Sequence, residues 1–132
     1  MTRYIITAVL TGLLFGIMDG LINGNPYAVR LMETYKPIAK RTINVPAGLL
    51  IDLLYGFVIS GVFIIIWPSL PTEIGIVKGF TYGLGMWFFR VLMGVISNWM
   101  MLNIPAKTLI YVLLTGFIEM IILGIINGLM LL

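Results

Sequence analysis

Cysteine and histidine are both absent from this chain of 132 residues. Without cysteine, disulfides, thiol nucleophiles and thiolate metal ligands are excluded. Without histidine, the commonest general base and the usual ligand of zinc, copper and haem are excluded as well. The sequence therefore predicts no metal site, no cofactor and no enzyme. The one catalytic alternative left is a carboxylate pair, Asp19 and Asp52, that holds a hard cation near a lipid phosphate.

Charged residues are also scarce. They make up 10% of the chain, whereas 61% of its residues are hydrophobic. An average soluble domain has about 25% charged residues, so a surface of this composition has to be solvated by lipid. The net charge of +3 is small and the basic residues are concentrated in one loop, which argues against a nucleic-acid partner. We expect an all-α integral membrane protein whose partners include membrane lipids.

Four apolar stretches use up nearly the whole length, because a helix needs about 20 apolar residues to cross the ~30 Å hydrocarbon layer. The sequence predicts a four-transmembrane-helix bundle that forms a single domain over residues 1–132. Because Asp19 lies within the first stretch, we expect that stretch to be retained rather than cleaved as a signal peptide. The predicted transmembrane helices cover residues 4–23, 47–67, 74–99 and 108–131.

The longest connection, residues 25–46, has the pattern of a short helix. Asn25 is a good N-cap, and Pro26 suits the first helical position. Apolar and aromatic side chains recur on one side at helical spacing, which predicts a short amphipathic helix over residues 26–36 that lies in the membrane interface. That side consists of Tyr27, Leu31, Met32 and Tyr35, and the interfacial basic residues are Arg30, Lys36, Lys40 and Arg41.

Lysine and arginine are distributed unequally between the two sides of the predicted bundle. The side with the long connection carries five of them, and the opposite side carries two. Under the positive-inside rule, this bias places the connection in the cytoplasm and both termini outside a plasma-type (inner) membrane. The five are Arg30, Lys36, Lys40, Arg41 and Lys107, and the two are Arg3 and Lys78.

Small residues recur every four positions along the first predicted helix and form a groove on one side of it. In lipid, such grooves let helix backbones approach closely, which is a main source of helix association. We therefore expect these sides to face protein. The predicted helix-packing glycines are Gly12, Gly16, Gly20, Gly24, Gly116, Gly124 and Gly128. The seams predicted for the second and third helices consist of Gly48, Asp52, Gly56 and Ser60, and of Arg90, Gly94 and Asn98.

With Lys78 left out as interfacial, four ionisable residues lie inside the predicted helices, where each costs roughly 2.5 to 3.5 kcal/mol on insertion scales. Arg90 and Glu119 have similar depths near the midplane on helices joined by a tight turn, so we predict that they form an ion pair. Asp19 and Asp52 lie nearer the long connection, where they either share a vestibule or reach basic residues at the interface. Three acids against one base require a protonated acid, a cation or a partner's basic group for balance.

Two functions from different classes fit these features. The first is a homo-oligomer or an accessory subunit of a larger membrane complex, which docks through its glycine faces and has no catalytic chemistry. The second is a small transporter or channel for a proton, a cation or a small solute, with Arg90 and Glu119 as a gate and Asp19 with Asp52 as a vestibule. Replacing both members of the pair by neutral residues distinguishes the two functions, because a packing pair tolerates that change and a pathway does not.

Overall fold

The computed structural model describes residues 1–38, 45–70 and 73–131, and nearly all of these residues are helical. Within these ranges there is no β-strand. The α-helices of the described ranges are α1 (Thr2–Gly24), α2 (Pro26–Leu31), α3 (Val45–Ile66), α4 (Gly75–Met86), α5 (Met93–Met101) and α6 (Ala106–Leu131).

Four helical segments are long and apolar enough to cross a membrane, which supports an integral membrane protein. We call them spans 1 to 4, and their ends differ from the predicted ends by at most two residues. Large apolar side chains such as Leu13, Ile17 and Leu21 are exposed on the outside of the bundle, where lipid can solvate them. The spans cover Thr2–Gly24, Val45–Ser69, Gly75–Met101 and Ala106–Leu131.

The segment after span 1 begins as a capped helix and then tightens. The Asn25 side chain accepts a hydrogen bond from the backbone N–H three residues on, at 2.8 Å, which fixes the start of α2. The α-helix ends at Leu31 and continues as a 3₁₀ helix over Met32–Ile38, so the stretch predicted as one helix over residues 26–36 contains two helix types. Thr108 of span 4 donates a hydrogen bond to the Leu31 carbonyl at 2.6 Å, which holds the segment against the bundle.

Span 1 packs between span 2 and span 4. Its contact with span 2 is made at small residues, since Gly56 of span 2 lies against the backbone of Ala8 and Gly12. A Cβ atom added to Gly12 would lie 2.9 Å from the Cα atom of Leu53. No larger residue therefore fits at Gly12 without moving span 2.

Spans 3 and 4 form an even closer pair. Gly79 and Gly83 of span 3 lie against the backbone of span 4, and Gly124 and Gly128 of span 4 lie against the backbone of span 3. A Cβ atom added to Gly83 would lie 2.6 Å from the carbonyl oxygen of Met120. The two helices touch backbone to backbone over about two turns, which is the close packing that small residues permit in lipid.

A network of buried polar side chains joins three spans. Ser60 of span 2 donates a hydrogen bond to the Asn127 side chain of span 4 at 2.6 Å. The same amide donates to the Thr11 hydroxyl of span 1 at 3.2 Å. Because all three side chains are fully buried, these bonds satisfy polar groups that lipid cannot solvate and fix the spans in register.

Spans 2 and 3 meet differently, through long side chains. The Tyr82 hydroxyl of span 3 donates a hydrogen bond to the Ile59 carbonyl of span 2 at 2.6 Å. The Tyr82 ring also lies 5.2 Å from the Phe63 ring, between centroids. A tyrosine that bridges two helices holds their backbones apart, and this leaves room beside it.

Candidate functional site

The structure brings Arg90 and Glu119 together in the middle of the bundle. A guanidinium nitrogen of Arg90, Nη1, lies 3.7 Å from Glu119 Oε1. A charge-assisted hydrogen bond would be about 2.7–2.9 Å long, so this is an ion pair without a close hydrogen bond. The two side chains differ in burial, because that of Glu119 is 3% exposed and that of Arg90 is 39% exposed.

A π-helical turn decides where Arg90 lies. The turn covers Trp87–Leu92 between α4 and α5, and sequence analysis predicted a continuous helix there. In a regular α-helix, Arg90 would lie on the same face as Gly83, which precedes it by seven residues or about two turns. The π turn adds one residue, so Val91 lies on that face instead and packs against Gly116 of span 4. Arg90 is thereby turned away from the close contact between spans 3 and 4.

Two aromatic rings lie close to the Arg90 guanidinium. The Cζ atom of Arg90 lies 4.9 Å from the centre of the Phe15 ring and 5.5 Å from the centre of the Tyr55 ring. These two rings are themselves stacked, with centroids 5.2 Å apart. Both Arg90 distances are within the range of a cation–π interaction, which is strongest where water is excluded. Spans 1 and 2 thus hold the arginine from one side while Glu119 attracts it from the other.

Glu119 is buried and incompletely satisfied. The residue is 2% exposed, and among the described residues its Oε2 atom accepts no hydrogen bond from an N–H or hydroxyl donor. Its carboxyl group lies within hydrogen-bonding reach of the Asp19 carboxyl, a contact that needs a proton on one of the two. The carboxylates of Asp19 and Asp52 act on it electrostatically, as does Arg90. A buried oxygen without a donor is costly in a low-dielectric interior, and so is a cluster of like charges. Both costs are relieved when a proton or a cation binds to Glu119.

Glu119 lines a polar cavity of about 160 Å³ between spans 1, 3 and 4. This volume is large enough to hold water. The cavity lies in the half of the bundle that faces the long connection, because it is formed by the end of span 1 and the beginning of span 4. Its polar lining residues are Asp19, Asn23, Arg90, Tyr111, Thr115 and Glu119.

A second space, the apolar cleft, lies in the opposite half of the bundle. It has a volume of about 570 Å³ and separates span 2 from span 3 beside the Tyr82 bridge. The lining is hydrophobic and aromatic, and Arg90 closes the inner end. Besides Arg90, its lining residues are Tyr55, Val58, Ile59, Val62, Ile66, Leu70, Thr81, Tyr82, Gly85, Met86, Phe89 and Met120.

Arg90 therefore belongs to both spaces, whereas Glu119 lines only the polar cavity. The polar cavity approaches the ion pair from the side of the long connection, and the apolar cleft approaches it from the side of the Trp67–Ser69 turn. A pair of opposite charges thus separates two spaces that extend toward opposite ends of the bundle. No sequence signal marked the cleft, because it depends on how spans 2 and 3 are set apart.

The predicted vestibule residues are divided between two places. Asp19 lies in the polar cavity beside Glu119 and Arg90. Asp52 is not one of the residues that line that cavity, and its carboxylate instead lies against Gly16, where an added Cβ would be 2.9 Å from Oδ2. Asp52 still acts electrostatically on Arg90 and Glu119. The four ionisable residues form one electrostatic cluster, but only three of them share the cavity.

The predicted packing glycines fall into two groups. Those whose added Cβ would meet atoms of a neighbouring span closely are Gly12, Gly16, Gly116, Gly124 and Gly128. Around Gly20 and Gly24 no described atom lies within 4 Å of the added Cβ, so these two have no packing role among the described residues.

The seam predicted for the third helix is wrong at Gly94, which is exposed and has open space around it. The glycines that span 3 actually uses are Gly79 and Gly83, together with the carbonyl of Gly75 at the start of the span. Their four-residue spacing was visible in the sequence. The π turn made the prediction fail, because it breaks the helical periodicity between these glycines and Arg90.

The basic residues of the long connection are only partly described. Arg30 and Lys36 are exposed. Lys40 and Arg41 lie outside the described residues. Within the described part of the chain, no group of three acidic residues is arranged to hold a metal ion.

The cluster of Arg90, Glu119, Asp19 and Asp52 is thus the feature that combines burial, charge and access from two sides. Comparison with protein-family models, with curated proteins and with solved structures gives no match to this chain.

Proposed function

We propose that this chain is a small membrane transporter in which Glu119 takes up and releases a proton or a small cation, with Arg90 as the gate. One observation carries the proposal. Glu119 is a buried carboxylate whose Oε2 atom accepts no hydrogen bond from an N–H or hydroxyl donor among the described residues, and its counter-charge, Arg90, lies at the boundary between the polar cavity and the apolar cleft. Ionisable groups in this position within membrane spans mark proton relays and ion pathways.

The charges of the cluster leave a place for the transported ion. Asp19, Asp52 and Glu119 carry three negative charges when ionised, and Arg90 offsets one of them. The Glu119 and Asp19 carboxyl groups can hydrogen-bond to each other only when one of them carries a proton. Like charges that interact in a low-dielectric interior do not all stay ionised. A proton or a small cation at Glu119 therefore lowers the electrostatic cost of the whole cluster.

The long distance between Arg90 and Glu119 suits Arg90 to act as a gate. At 3.7 Å the pair keeps its Coulomb attraction without the directional hydrogen bonds that would lock it. Neutralising Glu119 removes the attraction on that side, while the Phe15 and Tyr55 rings retain theirs. Arg90 then moves toward span 2 and the cleft. This couples the occupancy of Glu119 to the position of the gate.

The proposal includes an orientation. The excess of lysine and arginine supports an orientation with the long connection in the cytoplasm of a plasma-type membrane and both termini outside. The polar cavity then faces the cytoplasm, and the apolar cleft lies in the outer half. No catalytic step is part of this function.

Flux into liposomes tests the proposal. The purified protein is reconstituted into liposomes that contain a trapped pH dye, and a potassium gradient with valinomycin makes the liposome interior negative. Sodium and potassium fluxes are measured in separate liposomes without valinomycin. Wild-type protein should give proton or cation flux above that of empty liposomes. Glu119→Gln should abolish it, because a neutral amide can neither bind a cation by charge nor exchange a proton.

The matched control is Glu73→Gln, since Glu73 is exposed and lies outside the cluster. It should transport like wild type. Equal fluxes from Glu119→Gln and wild type, or no flux from wild type with any of the three ions, would rule out the transport function.

An accessory or homo-oligomeric role is the second candidate, and a different observation favours it. Gly20 and Gly24 continue the glycine row of span 1 but are exposed, with open space around them. In lipid, such a surface suits close docking of another transmembrane helix. We propose a second copy or a larger membrane subunit as its partner.

A further inference from the structure

We propose that the apolar cleft binds an amphiphile with a single alkyl chain and an oxyanion head, and that its head group lies on Arg90. The proposal rests on the transport function above and adds a ligand class to it. In this arrangement Arg90 exchanges one anionic partner, Glu119, for another, the head group, while Glu119 takes up a proton.

The size and lining of the cleft fit an alkyl chain. Its volume of about 570 Å³ lies within the ~300–1,000 Å³ of small-molecule sites. Val58, Val62 and Ile66 of span 2 line it together with Met86 and Phe89 of span 3. The cleft follows the spans from the bundle centre toward the Trp67–Ser69 turn, so an elongated apolar molecule can enter from the membrane.

The charge at the inner end selects the head group. Among the described residues that line the cleft, Arg90 is the one that carries a charge, and no carboxylate lines it. The guanidinium has five N–H donors in a planar fork, and at 3.7 Å its contact with Glu119 does not use them in a close hydrogen bond. Its side chain is 39% exposed. An oxyanion is the chemical group that such a fork binds best.

The depth of Arg90 argues against the ordinary lipid of the bilayer as the occupant. Arg90 lies fifteen residues beyond Gly75 and eleven before Met101, which is roughly 22 Å and 17 Å at the α-helical rise. The head group of a bilayer phospholipid lies at the interface and does not reach this depth. A single-chain amphiphile can enter head first, because the fixed charge of Arg90 compensates the loss of water around its head.

Proton uptake follows from the surrounding charges. The groups that face Arg90 are Glu119 of span 4, Asp19 of span 1 and Asp52 of span 2. An anion that joins three carboxyl groups raises the electrostatic energy unless a proton binds with it. Anion binding and proton binding therefore strengthen each other, and by linkage the anion binds more tightly as the pH falls.

Photolabelling tests the site. Wild-type protein in phosphatidylcholine nanodiscs is labelled with dodecanesulfonate that carries a diazirine on its chain, and the labelled residues are located by mass spectrometry. A sulfonate stays ionised at all working pH values, so any pH dependence comes from the protein. Labels are expected on spans 2 and 3 along the cleft. Unlabelled dodecanesulfonate should compete, whereas dodecanol and dodecyltrimethylammonium should not.

Three variants separate the head-group contact from the chain contact. Arg90→Gln should weaken binding about ten- to hundredfold, as expected for lost hydrogen bonds to a charged group. Arg90→Lys keeps the charge but loses the fork, and should give a smaller loss; it also serves if Arg90→Gln does not fold. Gly85→Leu should block the chain, because Gly85 lines the cleft and no described atom lies within 4 Å of its added Cβ.

The matched control is Gly94→Leu. Gly94 also lies on span 3 with open space around it, but it is not one of the residues that line the cleft. It should label like wild type. A pH dye in weak buffer should report proton uptake when dodecanesulfonate is added to wild-type nanodiscs, and none with Glu119→Gln.

Three results would overturn the inference: competition by dodecanol as strong as that by the sulfonate, tighter binding of the alkylammonium, or labelling unaffected by both Arg90 variants. The first would mean that the cleft holds alkyl chains of any lipid. If labelling fails in this way while Glu119-dependent flux persists, the ligand class is wrong and the transport function stands. If flux is absent while labelling depends on Arg90, the transport function is wrong and the binding site stands.

Discussion

Span 3 has two neighbours and meets them in opposite ways. Toward span 4 it presents Gly79 and Gly83, and the two backbones touch. Toward span 2 it presents Tyr82, whose hydroxyl reaches the Ile59 carbonyl across a gap that widens into the apolar cleft. The comparison shows that small residues close an interface in lipid, whereas a long hydrogen-bonded side chain keeps one open.

The same contrast separates the closely packed part of the molecule from the part that holds Arg90. The glycine contacts fix spans 3 and 4 as one unit, and the Ser60–Asn127–Thr11 network ties spans 1, 2 and 4 together. Arg90 lies where this close packing ends, and a π turn directs it into the open side. In the proposed function Arg90 changes partners, and the loosely packed side provides the space that this movement needs.

The largest effect is expected at the closed side of span 3. Gly83→Leu should lower the free energy of unfolding by more than about 3 kcal/mol, because the new Cβ meets the backbone of span 4 and overpacking there cannot be relieved by a side-chain rotation. Thermal unfolding in mild detergent measures it.

The matched variant is Gly85→Leu, two residues further along the same helix but on the open side. It should fold with wild-type stability, since its added Cβ meets no described atom within 4 Å. Equal losses from the two variants would mean that spans 3 and 4 are not in backbone contact.

An intermediate effect is expected at the ion pair, where the closed and open sides meet. In a double-mutant cycle, Arg90→Met and Glu119→Gln should show a coupling energy of about 0.5–3 kcal/mol. The double variant should lose less stability than the sum of the losses of the two single variants. Without Arg90, Glu119 is left buried without its counter-charge, and without Glu119 the 39% exposed Arg90 side chain loses its anionic partner. The readout is thermal stability of the four proteins in bilayer nanodiscs.

The cycle also distinguishes the two candidate functions. A stable double variant without ion flux assigns the pair to a pathway, and one with wild-type flux makes it a structural contact. Strict additivity of the two single effects would show that Arg90 and Glu119 are not coupled, and Asp52 would then be tested as the partner of Arg90.

The smallest effect is expected at the exposed end of the span 1 glycine row. Gly20→Leu should change the stability of the chain by less than about 1 kcal/mol, because nothing described lies near the added Cβ and leucine favours a helix. Light scattering in mild detergent gives the oligomeric state of the same sample. If Gly20→Leu dissociates an oligomer that Gly94→Leu leaves intact, the docking role is supported; an unchanged oligomer would contradict it.

Several features of the site were open to prediction because they depend on position along a helix. Arg90 and Glu119 were matched from their depths alone, since rise per residue fixes depth and a tight turn makes neighbours of the two helices. The close contacts at Gly12 and Gly124 lie on rows that helical spacing defines. The Asn25 cap was readable because an N-cap is a local hydrogen bond, made within a few residues of sequence.

Other features of the structure could not be predicted from the sequence. The division of Asp19 and Asp52 between two places depends on the rotation of span 1 against span 2. The seam of the third helix was wrong at Gly94, because a π turn adds one residue that no composition or periodicity signalled. The long connection was predicted as one helix, whereas the described part changes from α to 3₁₀ at Met32.

By itself, then, the sequence predicted a lipid medium and determined the number of long apolar helices and their approximate ends, because hydropathy and length act residue by residue along one chain. It also determined which depths carry charge. The tertiary structure alone decided which faces meet, since the rotation and spacing of helices follow from contacts between residues far apart in sequence. The two cavities, and the position of Arg90 between them, exist because spans 3 and 4 pack closely while spans 2 and 3 are held apart.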